Sequence, residues 1–553
     1  MTDEAEPQTP AAAPPSTPAA APPAAAPPAA QGAGRGVVLI AFAKFYFMFA
    51  GLILQVRLPA ILSHAAYGAY SVVAGWVSPL NNVMVTGSIQ AVSRFTAQRP
   101  EHARLVQHAG LRMHLYIGLP VALMFMAGSP LIAWFQHDWS LVSPLMVAAA
   151  IVAGYAFYAV FIGTANGLRQ FHKQAGLDIT FATLRVGAIL AAATVGAGVV
   201  GMVAGWVAAV VVILATAAVW IGMPGRPAKA DRLPVAPMAK FFIGVAIYLV
   251  LFNVLMFVDT WLLKRLATEY YVEHRVRLAV AADAAVPWLR GVVDYTPAPS
   301  TLADVQVAYY TVVQQLARLS YQAIIAATFV IFPLVSRTTF EGDRDTTKSY
   351  VQVTFRYSLM FATAIAVVMA ANPTALLDVV FAADYAELGG PALAALALGN
   401  VAFSVFAIAG TILNGAGFTK EAIITAASTL ALAVVGNMIA IPMVGPGKQL
   451  LLVTASVTSC AMLIGAITSG LVLRKKLGAF IPLLSVGRVI IAVAVAIGVG
   501  RVIPFRTPLM SLVEAGVVAV TFLAVLIATG ELGKKDLAAI RRVRSKRGQG
   551  GET

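Results

Sequence analysis

The chain has 553 residues, 59% of them hydrophobic and only 11% charged, and its mean hydropathy is +0.82. Soluble domains carry about 25% charged residues, so the composition excludes an ordinary soluble protein and indicates a polytopic membrane protein. The net charge of +15 does not point to nucleic acid, because the basic residues fall in short loops and the C-terminal tail, where the positive-inside rule places them.

Residues 1–35 are nearly all Ala and Pro after three early acids, Asp3, Glu4 and Glu6. They lack a basic stretch followed by an apolar one, so they are no secretory signal and read as a disordered, partly polyproline-II tail. Beyond them, apolar runs of about 20 residues mark membrane-spanning helices. They fall at 37–57, 67–91, 110–135, 142–165, 178–198, 200–223, 238–263, 305–335, 351–380, 388–414, 421–442, 449–472, 482–503 and 508–530, fourteen in all. Arg94, Arg99, Arg104, Arg169, Lys173, Arg226, Arg232, Arg474, Lys475, Lys476 and the Arg541–Arg547 cluster then share one side. Both termini therefore read as cytoplasmic. The long segment 264–304 has roughly balanced charge and reads as an external insertion. The lone Cys460 excludes an intramolecular disulfide and a multi-cysteine metal site.

An internal repeat runs through these spans. Ala43–Phe45 (AKF) recurs at Ala239–Phe241, and Tyr70–Val73 (YSVV) has the counterpart Tyr310–Val313 (YTVV). VSR ending at Arg94 matches VSR ending at Arg337, MAGSP at Met126 answers MAANP at Met369, and VGAG at Val195 answers VGPG at Val444. The expected fold is an all-α polytopic membrane protein of about 14 transmembrane helices. Two parallel six-helix repeats, 36–223 and 236–472, form a central cavity, followed by two extra helices at 480–530 and a basic tail at 531–553. Six spans per copy is an even number, so the copies share one orientation about an axis along the membrane normal. Facing, equivalent bundles suit alternating access.

Charges inside the spans point to function, because an ionisable residue near the bilayer midplane costs a few kcal/mol unless it faces a protein interior or water. Arg318 lies deep in span eight, with Gln314, Gln315 and Gln322 within about a turn of it. Arg185 lies roughly eight residues, about 12 Å, into span five, and Lys44 has a similar depth in span one. Arg112, Arg356 and Arg488 sit only a turn or so from the cytoplasmic ends, where such side chains snorkel to headgroups. Asp259 late in span seven and Glu514 in span fourteen are the carboxylates suited to exchanging an ion. No P-loop is present, and Asp343-Arg344-Asp345, spaced like a nucleotide-sugar metal site, reads as a solvated turn.

The run LPAILSHAAYGAYSVV (Leu58–Val73), then GSIQAVSRF (Gly87–Phe95), resembles the opening of bacterial polysaccharide-biosynthesis flippases. FNVLMFVDTWLL (Phe252–Leu263), AYYTVVQQLARL, FPLVSR and ILNGAGFTKEA (Ile412–Ala422) continue the likeness, as does TGELGKKDLAAIRR (Thr529–Arg542). The chain thus resembles the multidrug/oligosaccharidyl-lipid/polysaccharide exporter superfamily, Wzx-type flippases above all. The resemblance implies a transporter rather than an enzyme, working in the bacterial cytoplasmic (inner) membrane. It would move an undecaprenyl-diphosphate-linked oligosaccharide to the outer leaflet, without a cofactor, driven by a proton or sodium gradient. A polysaccharide polymerase and a chain-length regulator are the implied protein partners. Arg forks match phosphate oxygens, so Arg318, Arg185 and Lys44, then Arg356 and Arg112, are the expected diphosphate ligands. Gln314, Gln315 and Gln322, with Tyr310, Tyr321, Asn81, Asn82 and Asn253, would meet the sugar. Two alternatives stand beside this expectation: a drug or small-cation exporter of the same fold, which needs an acidic cavity, and a membrane-embedded polymerase or ligase, which needs large catalytic external loops.

Overall fold

The computed structural model describes residues 29–274, 298–322, 324, 343–503 and 508–533. Among these residues all regular structure is helical. The first half comprises α1 (Ala29–Ile61), α2 (His64–Gln98), α3 (Ala103–Tyr116), α4 (Gly118–Phe135), α5 (Val142–Gly167), α6 (Phe171–Thr194) and α7 (Gly198–Ile221). The second comprises α8 (Ala236–Leu255), α9 (Val258–Glu273), α10 (Pro299–Ala317), α11 (Arg344–Ala371), α12 (Pro373–Val380), α13 (Ala383–Gly415), α14 (Thr419–Ala440) and α15 (Lys448–Leu477). Two further helices follow, α16 (Leu483–Val502) and α17 (Pro508–Ala528).

The repeat read from sequence is a repeat of packing. α2 lies along α5 as α10 lies along α13, α5 along α7 as α13 along α15, and α1 along α6 as α8 along α14. The appended α16 and α17 pack on each other and lean on α11. Local sequence sets the boundaries. Ser63 caps α2 by accepting from Ala66 N–H at 3.3 Å, and Pro100 just past its end disfavours further helix.

Twelve described helical segments are long and apolar enough to cross a membrane. The expected spans missing from these twelve are the second and the eighth, α2 and α10. The α2 helix is central and largely buried by its neighbours, so protein rather than lipid covers its polar residues and a high hydropathy is not required of it, whereas α10 is only the first part of span eight. The second half of span eight, with Pro333 and the VSR repeat at Arg337, lies outside the described residues, as do the termini and the middle of the 264–304 segment. Span seven differs from the expectation. Its single helix over 238–263 is two, α8 and α9, interrupted at Met256 and Phe257. The 264–304 loop is shorter than expected, since α9 runs to Glu273 and α10 starts at Pro299.

Loops expected on one side meet there. Arg104 donates to the Gly222 carbonyl at 2.7 Å, Lys173 to that of Trp220 at 3.2 Å, and Lys476 pairs with Glu421 at 2.6 Å. We call this the basic end. At the opposite end Gly447 N–H donates to Gln306 at 3.0 Å, and His64 meets Asp384 at 2.7 Å.

The two lobes join chiefly where α2 meets α8 and α10. Trp76 stacks on Trp261 with centroids 4.1 Å apart, and Asn82 donates to Asn253 at 2.8 Å. Near the opposite end the α2 backbone comes so close to α10 that a Cβ on Gly68 would lie 1.8 Å from the Asp304 carbonyl oxygen. Gly68→Ala should therefore lose about 1–3 kcal/mol through overpacking and lower the thermal unfolding midpoint in detergent. Gly128→Ala, whose new Cβ would meet nothing within 4 Å, should not. Equal midpoints for the two variants would contradict this close interlobe contact.

Candidate functional site

The break in span seven organises the site. In a continuous helix the Met256 carbonyl would accept from Thr260 N–H. Here Thr260 N–H donates to Asp259 Oδ1 at 2.8 Å, and the Met256 carbonyl accepts from Arg318. Backbone freed at membrane depth needs such a partner. Arg318 is at the C-cap of α10, with its guanidinium 4.5 Å from the Phe257 ring centroid.

Tyr310, Gln314 and Arg318 follow one another at four-residue spacing, so they share a face of α10. That face meets the first turn of α9. Tyr310 donates to Asp259 Oδ2 at 2.7 Å, and Gln314 Nε2 donates to Asp259 Oδ1 at 2.9 Å. The Gln314 carbonyl oxygen accepts from Thr260 Oγ1 at 3.0 Å and from Arg318 at 3.4 Å. Asp259, at the positive end of the α9 dipole, is thus joined to Arg318 through one glutamine amide. An ionised carboxylate only accepts hydrogen bonds, so the amide's orientation depends on the state of Asp259. A cavity of about 10 Å³ lies between these groups and Leu396, Asn400, Phe403 and Met462, room for no more than a single water. In this conformation the cluster is closed and belongs to the second lobe.

A second group lies in the first lobe. Lys44 pairs with Asp178 at 2.7 Å, the lysine half-exposed and the aspartate buried. Lys44, Met48, Gly51 and Gln55 share a face of α1 by their spacing, and a Cβ at Gly51 would meet nothing within 4 Å. The α1 helix packs on α6 and only touches α2 and α10, so protein leaves this face partly uncovered at Gly51. Arg185 lies between the rings of Phe47 at 5.3 Å and Trp206 at 5.4 Å, a cation–π arrangement.

The other expected residues are placed elsewhere. Gln315 and Gln322 are half-buried on α10 and its continuation. Arg112 is half-buried on α3 at the basic end. Arg356 and Arg488 converge on Glu531, at 2.8 and 3.1 Å, and clasp the segment after α17. Glu514 is buried in its own niche, where Asn372 at the α11–α12 corner donates to it at 3.0 Å. Asp343 caps α11 by accepting from Thr346 N–H at 3.0 Å. Sequence reasoning missed Asp178, which stands at the first position of the expected span five but lies two turns inside α6, where it pairs with Lys44. It also missed Lys264, Asp138 and Asp304, which form a buried ion cluster at the end opposite the basic one.

A family profile described as "Polysaccharide biosynthesis protein" matches residues 58–275. No curated protein matches the chain by sequence. Among solved structures, the chain is similar to "Lipid II flippase MurJ, inward closed conformation" with a TM-score of 0.68 at 12% identity, over 89% of this chain and 99% of that one. It is also similar to an outward-facing "multidrug resistance MATE family transporter of the MOP superfamily", with a TM-score of 0.56 at 16% identity, over 81% and 96% of the two chains. An inward-facing transporter of that description gives 0.54 at 17% identity, over 79% and 94%.

The Glu531 clasp generates a pH dependence. Burial raises the carboxyl's pKa, but hydrogen bonds from Ser485, Arg488 and Arg356 outweigh it and hold the value below the ordinary 4.5. A depressed folded-state pKa contributes stability that is present above the unfolded value and lost as pH falls through the folded one. Glu531→Gln should therefore unfold at a lower temperature than the native chain at pH 6, and the gap should close as pH falls below the ordinary 4.5 and through the lowered folded-state value. A gap unchanged between pH 6 and pH 3 would contradict the clasp.

Proposed function

Because the chain has the fold of the multidrug/oligosaccharidyl-lipid/polysaccharide exporter superfamily, we propose that it is a flippase for an undecaprenyl-diphosphate-linked oligosaccharide. It carries this lipid from the cytoplasmic to the outer leaflet of the inner membrane by alternating access, with both termini in the cytoplasm. The observation that carries the proposal is the placement of cations at depth: Arg318 at the break of a central helix, and Lys44 half-exposed on the partly uncovered face of α1. A diphosphate entering between the lobes takes the Lys44 ammonium from Asp178 and the Arg318 fork from the Met256 carbonyl. Arg185, already flanked by aromatic rings, adds a third positive charge on the first-lobe side. Gln315 and Gln322 meet the sugar, while Arg356 and Arg112 attract the headgroup at the basic end. A drug or small-cation exporter would need an acidic lining instead.

Coupling runs through Gln314. A proton on Asp259 Oδ1, or a sodium ion bound there, occupies the acceptor that holds the Gln314 amide. The amide is then free to turn, and Arg318 loses one of its acceptors. Glu514 is a second, separate ion-coupling group. No cofactor is required, and a polysaccharide polymerase with its chain-length regulator would take up the product in the outer leaflet.

The test is transfer of a fluorescent undecaprenyl-diphosphate oligosaccharide between leaflets of reconstituted vesicles. Arg318→Gln should slow transfer at least about tenfold, equivalent to ~1.4 kcal/mol, while the protein still inserts. Asp259→Asn should retain downhill transfer but lose its acceleration by an imposed proton or sodium gradient. Native rates in Arg318→Gln would sink the diphosphate role, and full gradient response in Asp259→Asn would sink the coupling role.

A further inference from the structure

The lobes are fastened unequally at their two ends. Among the described residues, every ion pair or histidine–carboxylate contact between the lobes lies at the end opposite the basic one: His64–Asp384 at 2.7 Å, His137–Glu269 at 3.7 Å and Asp138–Lys264 at 2.9 Å. The third differs from the other two in being buried. Lys264 is 0% exposed, and its ammonium has three partners: Asp138 of the first lobe, Asp304 of the second at 2.7 Å and the Ser300 carbonyl at 2.6 Å.

We infer that Lys264, Asp138 and Asp304 form a reversible latch that closes the two lobes at this end, with Asp138 as the member that leaves. The partners divide cleanly between the lobes. When the lobes part, Lys264 keeps Asp304 and the Ser300 carbonyl, all in the second lobe. Asp138 keeps the Ser140 hydroxyl at 2.6 Å and the Ser140 N–H at 3.1 Å, both in the first. Breaking a buried ion pair is costly chiefly when it strands a charge. Here neither half is stranded, and incoming water completes each. The surroundings fit a seam that opens and recloses. Arg265 of the second lobe reaches the Phe135 carbonyl of the first at 2.9 Å and also pairs with Glu269 at 2.9 Å within its own helix. The stacked Trp76–Trp261 pair lies along the same seam.

The latch has a signed consequence. Two carboxylates share one lysine, so they compete for it. Removing the charge of Asp138 frees the first lobe, whereas removing that of Asp304 leaves Lys264 wholly to Asp138 and tightens the closed state. The inference rests on the proposed alternating access, but the experiment reads lobe separation rather than lipid transfer, so either can fail without the other.

Spin labels at Val195→Cys and Met443→Cys, two exposed positions at this end of the two lobes, are introduced with Cys460→Ser, and their distance is measured by pulsed electron resonance in nanodiscs. Asp138→Asn should raise the ratio of separated to closed populations about tenfold or more, with Lys264→Met in the same direction. Asp304→Asn should not raise it. A uniform shift toward separation in Asp138→Asn and Asp304→Asn, or no shift in Asp138→Asn and Lys264→Met, would overturn the latch.

Discussion

The structure turns on one carbonyl. Interrupting a helix at membrane depth leaves backbone groups that lipid cannot satisfy, and the break at Met256–Phe257 gives its freed carbonyl to Arg318. Leaving such a group unpaired would cost about 1–3 kcal/mol, so the guanidinium and the break depend on each other. The break also starts α9 at a point where Asp259 occupies the first turn. Cation, carboxylate and bridging amide are therefore brought together by a single backbone feature.

Around this point the polar groups of the two lobes are arranged differently. The second lobe holds its cluster closed, with every group satisfied by a neighbour. The first lobe keeps Lys44 half-exposed on a partly uncovered face, paired with only one carboxylate. The lobes repeat the same helix packing but not the same chemistry. Under the proposed function, the first lobe receives the headgroup and the second senses the ion.

Much of the fold was legible in the sequence because lipid imposes a simple rule on outward-facing helices, and twelve of the expected spans show it. The repeat was legible from short matches such as AKF and VGAG/VGPG, since equivalent helices keep equivalent turns. The helix break was not. FNVLMFVDTW contains no Pro or Gly to announce it, and only tertiary contacts from α10 reveal why the chain turns there. Arg318, Gln314 and Asp259 were found because charge and amide groups in apolar runs are conspicuous, and the structure brings them into one cluster. Arg356, expected near the cytoplasmic headgroups, instead clasps Glu531, a residue 175 positions away that no local pattern connects to it. Lys264, Asp138 and Asp304 escaped notice because each sits at a span boundary, where charges are ordinary. Only their convergence makes them unusual.

The central claim is that cations held at depth recognise a diphosphate. The most direct measurement is equilibrium binding, in nanodiscs, of a short-chain prenyl-diphosphate oligosaccharide against the same glycan on an uncharged prenyl anchor. The account predicts that the diphosphate form binds at least about tenfold tighter, ~1.4 kcal/mol, and that raised salt narrows the difference. Equal affinity for the charged and uncharged forms would contradict it.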